Sequence, residues 1–226
     1  MTIFTENDRT GEIVIRFPYA SQLLRQYKID FCCSGDRRIG EVIQERELDG
    51  EKILNEINAH YEEQKQLHNV IIDWKSQANE TIINHIIDTH HNYLRSILPE
   101  LEQLTLKVAK VHGKHHPELI QVQKLFKTMQ ADLLQHITKE ETYIFPKILD
   151  SSVVSQNIGN EIALLEDEHS SSGALLKSIH ELTDDFTAPM DACNTFKLTY
   201  LKLDELERNT FNHIHLENNI LFPRFH

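Results

Sequence analysis

The sequence predicts an all-α protein, in which a small helical domain precedes an up-down-up-down four-helix bundle. It contains only 7 glycines and 6 prolines among 226 residues, and long stretches without either residue favour helices. From residue 79 onward, apolar residues recur with helical period. Short turn-forming segments divide this region into four long helices, which is the pattern of an antiparallel bundle.

The part of the chain before the bundle is predicted to form a separate unit and a linker. Residues 1–65 contain short helical segments, among them one over 50–61 with Asp49 as its N-cap. A polar run begins at Glu62 and leads towards the single tryptophan, Trp74, and we interpret residues 66–78 as the linker. Because a unit of this size has a thin core, we expect it to rest on a neighbour, and a homodimer is one such arrangement.

Residues 79–226 form the predicted bundle. Its helices are expected at four places, in chain order about 80–111, 117–146, 160–182 and 191–222. A loop is expected over 150–159, where serine, asparagine and glycine occur. Pro146 and Pro223 are expected to stop the second and fourth helices, because proline cannot continue a helix.

One motif occurs twice in this region, in the second and in the fourth helix. Both copies read His-x3-Glu-x4-Phe-Pro, and they comprise His136, Glu140, Phe145 and Pro146 in the first and His213, Glu217, Phe222 and Pro223 in the second. Residues four apart on a helix point to the same side. Each copy therefore presents an imidazole beside a carboxylate, a pairing that suits a first-row transition metal such as iron. A single copy is more often a surface pair, but two copies on alternate helices indicate a ligand set.

The first and third helices each add a histidine within the apolar stripe. His169 is one of them, and on the first helix the periodicity leaves the choice between His90 and His91 open. Four imidazoles and two carboxylates would then meet at the bundle axis, and burying them without partners would be costly. A pair of metal ions supplies those partners. We therefore predict a dinuclear site bridged by both carboxylates, as in the di-iron sites of helical bundles.

Charge and composition exclude some classes of function. A net charge of −12 argues against a basic surface for nucleic acid. No apolar run approaches the roughly 18 residues of a membrane span, and the N-terminus lacks the pattern of a signal peptide. Three cysteines, two of them adjacent, do not form a disulfide framework. We expect a cytoplasmic protein with no nucleic-acid partner and no membrane partner.

Two stretches together resemble a known family. One is Asp-Phe-Cys-Cys-Ser-Gly over residues 30–35, and the other is the closing His-Ile-His-Leu-Glu-Asn-Asn-Ile-Leu-Phe-Pro over residues 213–223. With them, nearly the whole chain resembles the iron–sulfur cluster repair di-iron family, whose C-terminal domain is a hemerythrin-like bundle. One departure is Ser34, where the family often has glycine, because serine adopts a positive φ less readily.

The resemblance implies a cofactor, its ligands and a function. The family's ligands fall on His91, His136, Glu140, His169, His213 and Glu217. Its first-helix ligand is the later histidine of a His-x5-His pair, here His85 and His91, which favours His91 over His90. The cofactor would be two iron ions in an oxo- and carboxylate-bridged non-haem centre, with Glu140 and Glu217 as the bridging carboxylates.

The same resemblance implies the repair of iron–sulfur clusters that oxidative and nitrosative stress have damaged, by donation of iron. Damaged iron–sulfur proteins would be the partners, and NO or O2 would be small ligands. On this interpretation the protein is an iron donor rather than a conventional enzyme. Two other functions stay open, a hemerythrin-like protein that binds or senses O2 or NO, and a di-iron NO reductase.

Four further residues are candidates for supporting roles. Cys32 and Cys33 lack the Cys-x2-Cys spacing of a tetrahedral metal site. We interpret them as redox or iron-transfer residues, on the hypothesis that a thiolate near a helix N-terminus has a lowered pKa. The alternative is one buried and one incidental cysteine. Asp132, one turn before His136, is a candidate to orient that imidazole, and Glu168 is a candidate to support the ligands or line a route for iron. Alternatively, both acids are solvated surface groups.

Overall fold

The structure, a computed structural model, describes residues 3–67, 72–150 and 158–225. Helices dominate these residues, and the one extended pairing among them is an isolated bridge between Arg9 and Arg38. The all-α prediction is therefore confirmed. No helix within these ranges combines the length and the apolar character that crossing a membrane requires.

The chain divides into two compact units. The N-terminal unit comprises Met1–Ala78 together with Ile214–His226, and the bundle unit comprises Asn79–His213. The sequence analysis had assigned the whole C-terminus to the bundle, whereas the end of the last helix groups with the N-terminal unit. Part of the predicted linker, 68–71, and part of the predicted loop, 151–157, lie outside the described residues.

In the described part of the N-terminal unit, four helices precede its C-terminal segment. In chain order they are α1 (Thr10–Arg16), α2 (Ala20–Gln26), α3 (Ile39–Glu45) and α4 (Gly50–Gln66), followed by a 3-10 turn at Trp74–Ser76. Asp49 caps α4 as predicted, because its carboxylate accepts the backbone N–H of Lys52 at 3.0 Å. The helix extends beyond the predicted 50–61 because glutamate, glutamine and lysine, all good helix formers, follow Tyr61.

An aromatic cluster forms the core of the N-terminal unit. Phe4 and Phe17 are fully buried, and the ring of Tyr61 meets both edge-on, with centroids 5.5 and 5.4 Å away. The C-terminal segment joins this unit through Arg224, whose guanidinium donates to the carbonyl of Gln77 at 2.9 Å. Such bonds explain why the end of the last helix belongs here.

Four long helices form the bundle unit, and π-helical segments interrupt two of them. They are α5 (Asn79–His85), which continues through a π-helical segment (Ile86–His91) into α6 (Asn92–His112); α7 (Glu118–Lys139), which continues through a second π-helical segment (Glu140–Ile144) into α8 (Phe145–Leu149); α9 (Gly159–Leu182); and α10 (Asn194–Leu216). A third π-helical segment (Glu217–Leu221) and a 3-10 turn (Phe222–Arg224) follow α10. Successive helices α6, α7 and α9 pack side by side, which confirms the bundle.

Pro146 does not end the second long helix, contrary to the prediction. It lies in the first turn of α8, which continues to Leu149. Within a regular α-helix, proline removes one hydrogen bond and its ring collides with the carbonyl four residues earlier. The π-helical turn over Glu140–Ile144 changes the hydrogen-bond register directly before it. Pro146 therefore occupies a helix start, where its missing N–H is tolerated.

Among the described residues, the interior of the bundle unit is mostly apolar, and it contains a buried polar cluster. The apolar part includes Leu98, Leu101, Phe126, Met129, Leu133, Leu176, Ile179, Phe196 and Leu203. The polar cluster consists of histidines and glutamates that are almost completely buried. Because buried polar groups require partners, this cluster is the candidate site.

Candidate metal centre

Four buried histidines, one from each long helix, meet inside the bundle unit. His91 ends the first π-helical segment, and His136, His169 and His213 lie in α7, α9 and α10. Their Nε2 atoms form two pairs, with 3.1 Å between His91 and His213 and 2.9 Å between His169 and His136. The structure thus brings together the four imidazoles that the sequence analysis selected as ligands.

These Nε2 separations have the size expected for two ligands of one metal ion. A metal–nitrogen bond to histidine is about 2.1 Å long. Two such ligands at the right angle of an octahedral site lie about 3.0 Å apart, and the observed 3.1 and 2.9 Å agree with that value. Each Nε2 pair therefore has the geometry of two neighbouring ligands.

Glu140 lies between the two pairs. Its Oε1 is 3.1 Å from Nε2 of His136, and its Oε2 is 3.3 Å from Nε2 of His91. The potential ligand atoms of His91, Glu140 and His213 all lie within 4.8 Å of one another, and so do those of His136, Glu140 and His169. One carboxylate oxygen faces each imidazole pair, so Glu140 would be shared between the pairs if each of them held an ion.

The carboxylate of Glu140 is fully buried, and neither of its oxygens accepts a hydrogen bond of good geometry from the described residues. Burial by itself raises its pKa, but the neighbouring His136, His91 and His213 outweigh that effect and hold the pKa well below its usual range. A buried ionised carboxylate is costly unless positive charge pairs with it. A cation fits this position, and the donors, which are nitrogen and oxygen only, suit a first-row transition metal.

Glu217, the remaining predicted ligand, lies one turn after His213 on the same continuous helix and is fully buried. Because residues four apart share one side of a helix, its carboxylate points to the same side as the imidazole of His213. Glu217 belongs to the part of that helix that groups with the N-terminal unit. Its role as a ligand stays a prediction.

Each π-helical segment begins or ends at a predicted ligand. His91 closes the first segment, Glu140 opens the second and Glu217 opens the third. A π turn adds a residue to a helical turn and so rotates the side chains that follow, and such turns are frequent at functional sites. The sequence analysis missed all three, because no residue pattern in the chain distinguishes a π turn from an α turn.

Two carboxylates outside the cluster orient two of the imidazoles. Nδ1–H of His91 donates to Glu141 at 2.7 Å, and Nδ1–H of His136 donates to Glu168 at 2.7 Å. With the proton on Nδ1, each Nε2 keeps the lone pair that a metal ligand requires. The hydrogen bond from His136, assisted by Lys139, lowers the pKa of Glu168 to about 2, so this acceptor stays ionised at neutral pH.

The other outer candidates occupy different positions. Asp132 is exposed, and Nδ1 of His136 bonds to Glu168 instead, so the predicted orienting role does not fall to Asp132. Glu141 was missed, although its position directly after a predicted ligand offered a signal. His90 is buried but bonds through Nδ1 to an asparagine amide oxygen at 3.1 Å, and its nitrogens are not members of the Nε2 pairs.

Glu141→Gln and Glu168→Gln are each expected to weaken metal binding by about 10–100-fold, because outer carboxylates hold the imidazoles in their ligand tautomer. Competition with a chromophoric chelator measures this affinity. Glu161→Gln is the matched control, since Glu161 pairs with Lys147 in a half-exposed ion pair. Unchanged affinity in both variants would show that these hydrogen bonds do not support the ligands.

The adjacent cysteines lie in the loop between α2 and α3. The carboxylate of Asp30 organises this loop, because it accepts the backbone N–H groups of Cys32 at 2.9 Å, Cys33 at 3.0 Å and Ser34 at 3.2 Å. The next helix, α3, begins at Ile39, six positions after Cys33. Ser34 fits the loop, because it is not among the described residues with positive φ.

The pKa of Cys32 is shifted in the direction opposite to the prediction. Its Sγ lies 3.7 Å from that of Cys33, and this contact together with burial raises the pKa of the Cys32 thiol well above its usual range. Cys33 is half-buried and Cys193 is exposed. A thiolate at Cys32 is therefore disfavoured unless a cation compensates its charge.

Iodoacetamide is expected to alkylate Cys32 at least about tenfold more slowly than Cys33 and Cys193 in the native protein at pH 8, because each unit by which the thiol pKa rises reduces the reactive thiolate about tenfold. A mass-spectrometric time course measures the three rates. In guanidinium chloride the rates should converge, which is the control for intrinsic reactivity. Equal native rates at Cys32 and Cys33 would contradict the burial of Cys32.

The C-terminal segment of the N-terminal unit holds the backbone of this cysteine loop. Nδ1–H of His215 donates to the carbonyl of Phe31 at 3.2 Å, and the amide of Asn219 donates to the carbonyl of Cys32 at 3.0 Å. Burial lowers the pKa of His215 to about 4, so its imidazole is neutral at pH 7. Since His215 and Asn219 flank Glu217 in the chain, the loop is tied to the turn that carries this predicted ligand.

Asn219 fits there only because two neighbours are glycines. A Cβ atom on Gly11 would lie 2.4 Å from the Oδ1 of Asn219, and one on Gly35 would lie 2.2 Å from it. The backbones of the two glycines also meet, since the N–H of Gly11 donates to the carbonyl of Gly35 at 2.8 Å. This close approach of α1, the cysteine loop and the last helix involves residues far apart in the chain, and the sequence analysis missed it.

Known proteins are similar to both units of this chain. The Hemerythrin HHE cation binding domain matches residues 82–225, and a domain of unknown function, DUF542, matches residues 6–61. The iron–sulfur cluster repair protein ScdA of Staphylococcus haemolyticus (strain JCSC1435) is 35% identical, over 99% of this chain and 100% of that protein. The iron–sulfur cluster repair protein YtfE is 38% identical in Enterobacter sp. (strain 638) and 37% identical in Shigella boydii serotype 4 (strain Sb227), each over 95% of this chain and 94% of the relative.

The four-helix fold, the buried histidine–glutamate cluster and the match to the cation-binding domain define the class, a hemerythrin-like metal-binding protein. Within this class, the chain belongs to the family of the iron–sulfur cluster repair proteins ScdA and YtfE. The resemblance inferred from the Cys-Cys loop and the repeated motif is thereby confirmed.

Proposed function

We propose that this protein repairs iron–sulfur clusters damaged by oxidative and nitrosative stress, and that it does so by donating iron. The relatives whose names describe iron–sulfur cluster repair are similar to it over nearly the whole of both chains. Damaged iron–sulfur proteins would be its partners. The cysteines are all free thiols, which suits a reducing compartment, and we propose the cytoplasm as its location.

Two iron ions in a bridged non-haem centre are the form in which we propose that iron is held. The four histidines and Glu140 would be ligands, and Glu217 would complete the set as the second bridging carboxylate. The position of Glu140 carries this proposal, since its two oxygens face different Nε2 pairs at 3.1 and 3.3 Å. A carboxylate with a single partner would not need this symmetric position.

This donor set suits reversible binding of iron. Imidazole and carboxylate ligands bind Fe(II) less tightly than Cu(II) or Zn(II). Six protein ligands shared by two ions also leave open coordination positions, for which NO and O2 are the proposed small ligands. The side chains of Glu141 and Glu168 are 25% and 42% exposed, so the imidazoles that they hold lie one side chain away from solvent. We propose this side of the cluster as the way out for iron.

Iron transfer to an apo iron–sulfur protein tests the function. The protein is loaded with iron, its metal content and Mössbauer spectrum are recorded, and it is mixed with apo-ferredoxin, sulfide, reductant and a chelator that removes free iron. We expect clusters to form, seen by visible absorption, faster than with the same amount of free iron. His169→Ala should abolish the transfer because a ligand is lost, whereas the surface variant Glu161→Gln should retain it.

The same experiment separates the alternatives. A loaded protein that transfers no iron would contradict repair by donation. If that protein also bound O2 or NO reversibly, the function would be that of a hemerythrin-like carrier or sensor, and steady conversion of NO to N2O with an electron donor would indicate an NO reductase. One zinc ion, or no metal, in the isolated protein would overturn the di-iron centre.

A further inference from the structure

We infer that Asp30, Cys32 and Cys33 form a second metal site, which binds one soft divalent cation such as Zn²⁺ or Fe²⁺. These residues belong to the N-terminal unit and are distinct from the histidine–glutamate ligands. Each offers one ligand atom, and the three atoms all lie within 4.8 Å of one another. The inference does not require the protein to donate iron, and it assigns a role to a loop that the proposed function leaves unexplained.

The spacing of the two sulfurs matches a shared ion. The sequence analysis judged adjacent cysteines unsuited to one tetrahedral ion, because such sites use Cys-x2-Cys spacing. In the structure, however, the two Sγ atoms lie on the same side of the loop, 3.7 Å apart. Two thiolates bound at about 2.3 Å with a tetrahedral angle between them lie about 3.8 Å apart. The cysteines therefore hold the required separation before any ion binds.

Asp30 has capacity for a cation in addition to its loop contacts. An ionised carboxylate offers about four lone-pair positions. Three of them accept the backbone N–H groups of Cys32, Cys33 and Ser34, which leaves one for a metal ion. The same carboxylate thus fixes the backbone of both cysteines and stands within reach of their thiols.

The other side of the loop is also held in place. The carbonyl of Cys32 accepts the amide of Asn219 at 3.0 Å, and the carbonyl of Phe31 accepts the imidazole of His215 at 3.2 Å. A ligand set whose backbone is fixed from both sides loses little conformational freedom on binding. The thiols are consequently presented by a preorganised loop.

The chemistry of the site favours a soft and exchangeable ion. Thiolates select zinc and iron over magnesium and calcium. Binding replaces the two thiol protons, which pass to solvent, and the metal charge compensates the thiolates that the buried environment otherwise disfavours. Three protein ligands leave a fourth position for water or an incoming ligand. Because Asp30 is exposed and Cys33 is half-buried, that position is accessible from solvent.

Titration of the reduced full-length protein with Co²⁺ tests the site. Thiolate-bound Co²⁺ shows a sulfur-to-metal charge-transfer band in the near ultraviolet, which nitrogen and oxygen ligands do not produce. We expect this band in wild-type protein whose histidine–glutamate cluster is already loaded with metal, with an intensity that saturates at one further ion per chain and a binding constant that strengthens as the pH rises. Cys33→Ser should abolish the band, and Asp30→Asn should weaken binding. Cys193→Ser is the control and should leave the band unchanged.

Circular dichroism and the metal content of the histidine–glutamate cluster verify that each variant is folded. Absence of the band in wild-type protein with all thiols counted as reduced would overturn the inference, and so would a band that survives in Cys33→Ser. The readout needs no client protein, so its failure leaves the iron-transfer experiment unaffected. Conversely, a failed iron transfer does not alter the band.

Discussion

Glu140→Gln is expected to lower the metal content of the purified protein from the proposed two ions per chain to about one or fewer, because a single neutral amide cannot bridge two cations. In the wild type each carboxylate oxygen of Glu140 faces one Nε2 pair. The amide of glutamine offers one acceptor oxygen, and its NH2 group would point its protons at the other pair. One of the two metal positions then lacks its oxygen ligand and faces the N–H protons of the amide instead.

Metal analysis after loading with excess iron measures this effect. The helical content of the variant should stay close to that of the wild type, because glutamine fills the same volume and the apolar core of the bundle is untouched. Glu161→Gln, which makes the same chemical change at a half-exposed ion pair, should retain the metal content of the wild type. Full metal content in Glu140→Gln would show that this carboxylate does not bridge.

The sequence was most informative where the relevant geometry is local. The four-residue spacing of His136 and Glu140 suffices to place imidazole and carboxylate together, and the two groups lie 3.1 Å apart in the structure. Glu141 lies beside Glu140 in the chain, yet its imidazole partner is His91, 50 positions away. The π-helical turn that starts at Glu140 helps to orient the carboxylate of Glu141. No residue pattern in the sequence predicts that turn.

The cysteine loop shows a second limit of sequence reasoning. Asp30 belongs to a residue type that often stabilises turns, and in this loop it accepts three backbone N–H groups. The direction of the pKa shift at Cys32, however, depends on burial and on the sulfur of Cys33 at 3.7 Å. Likewise, the reason for glycine at positions 11 and 35 is the side chain of Asn219, which comes from the other end of the chain. Long-range packing decides both properties, and a single sequence does not display it.

Gly35→Ala is expected to open the cysteine loop, with a local loss of about 1–3 kcal/mol, the usual cost of overpacking. The added Cβ would lie 2.2 Å from the Oδ1 of Asn219 and 2.7 Å from the carbonyl oxygen of Phe31. Neither neighbour moves freely, since the amide of Asn219 is bonded to loop carbonyls and the second contact is backbone. Such a change in the local opening equilibrium corresponds to an alkylation rate of Cys32 that rises about 5–150-fold.

Gly11→Ala offers a matched comparison, because its principal obstacle is a side chain. Its Cβ would lie 2.4 Å from the Oδ1 of Asn219 but 3.0 Å from the nearest backbone atom, the carbonyl oxygen of Gly35. In an Asn219→Ala background, Gly11→Ala should therefore accelerate alkylation of Cys32 much less than it does in the wild type. Gly35→Ala should accelerate alkylation of Cys32 in both backgrounds, since the added Cβ still collides with the carbonyl oxygen of Phe31. Equal effects of Gly11→Ala with and without the side chain of Asn219 would mean that this side chain is not the obstacle that the added Cβ meets.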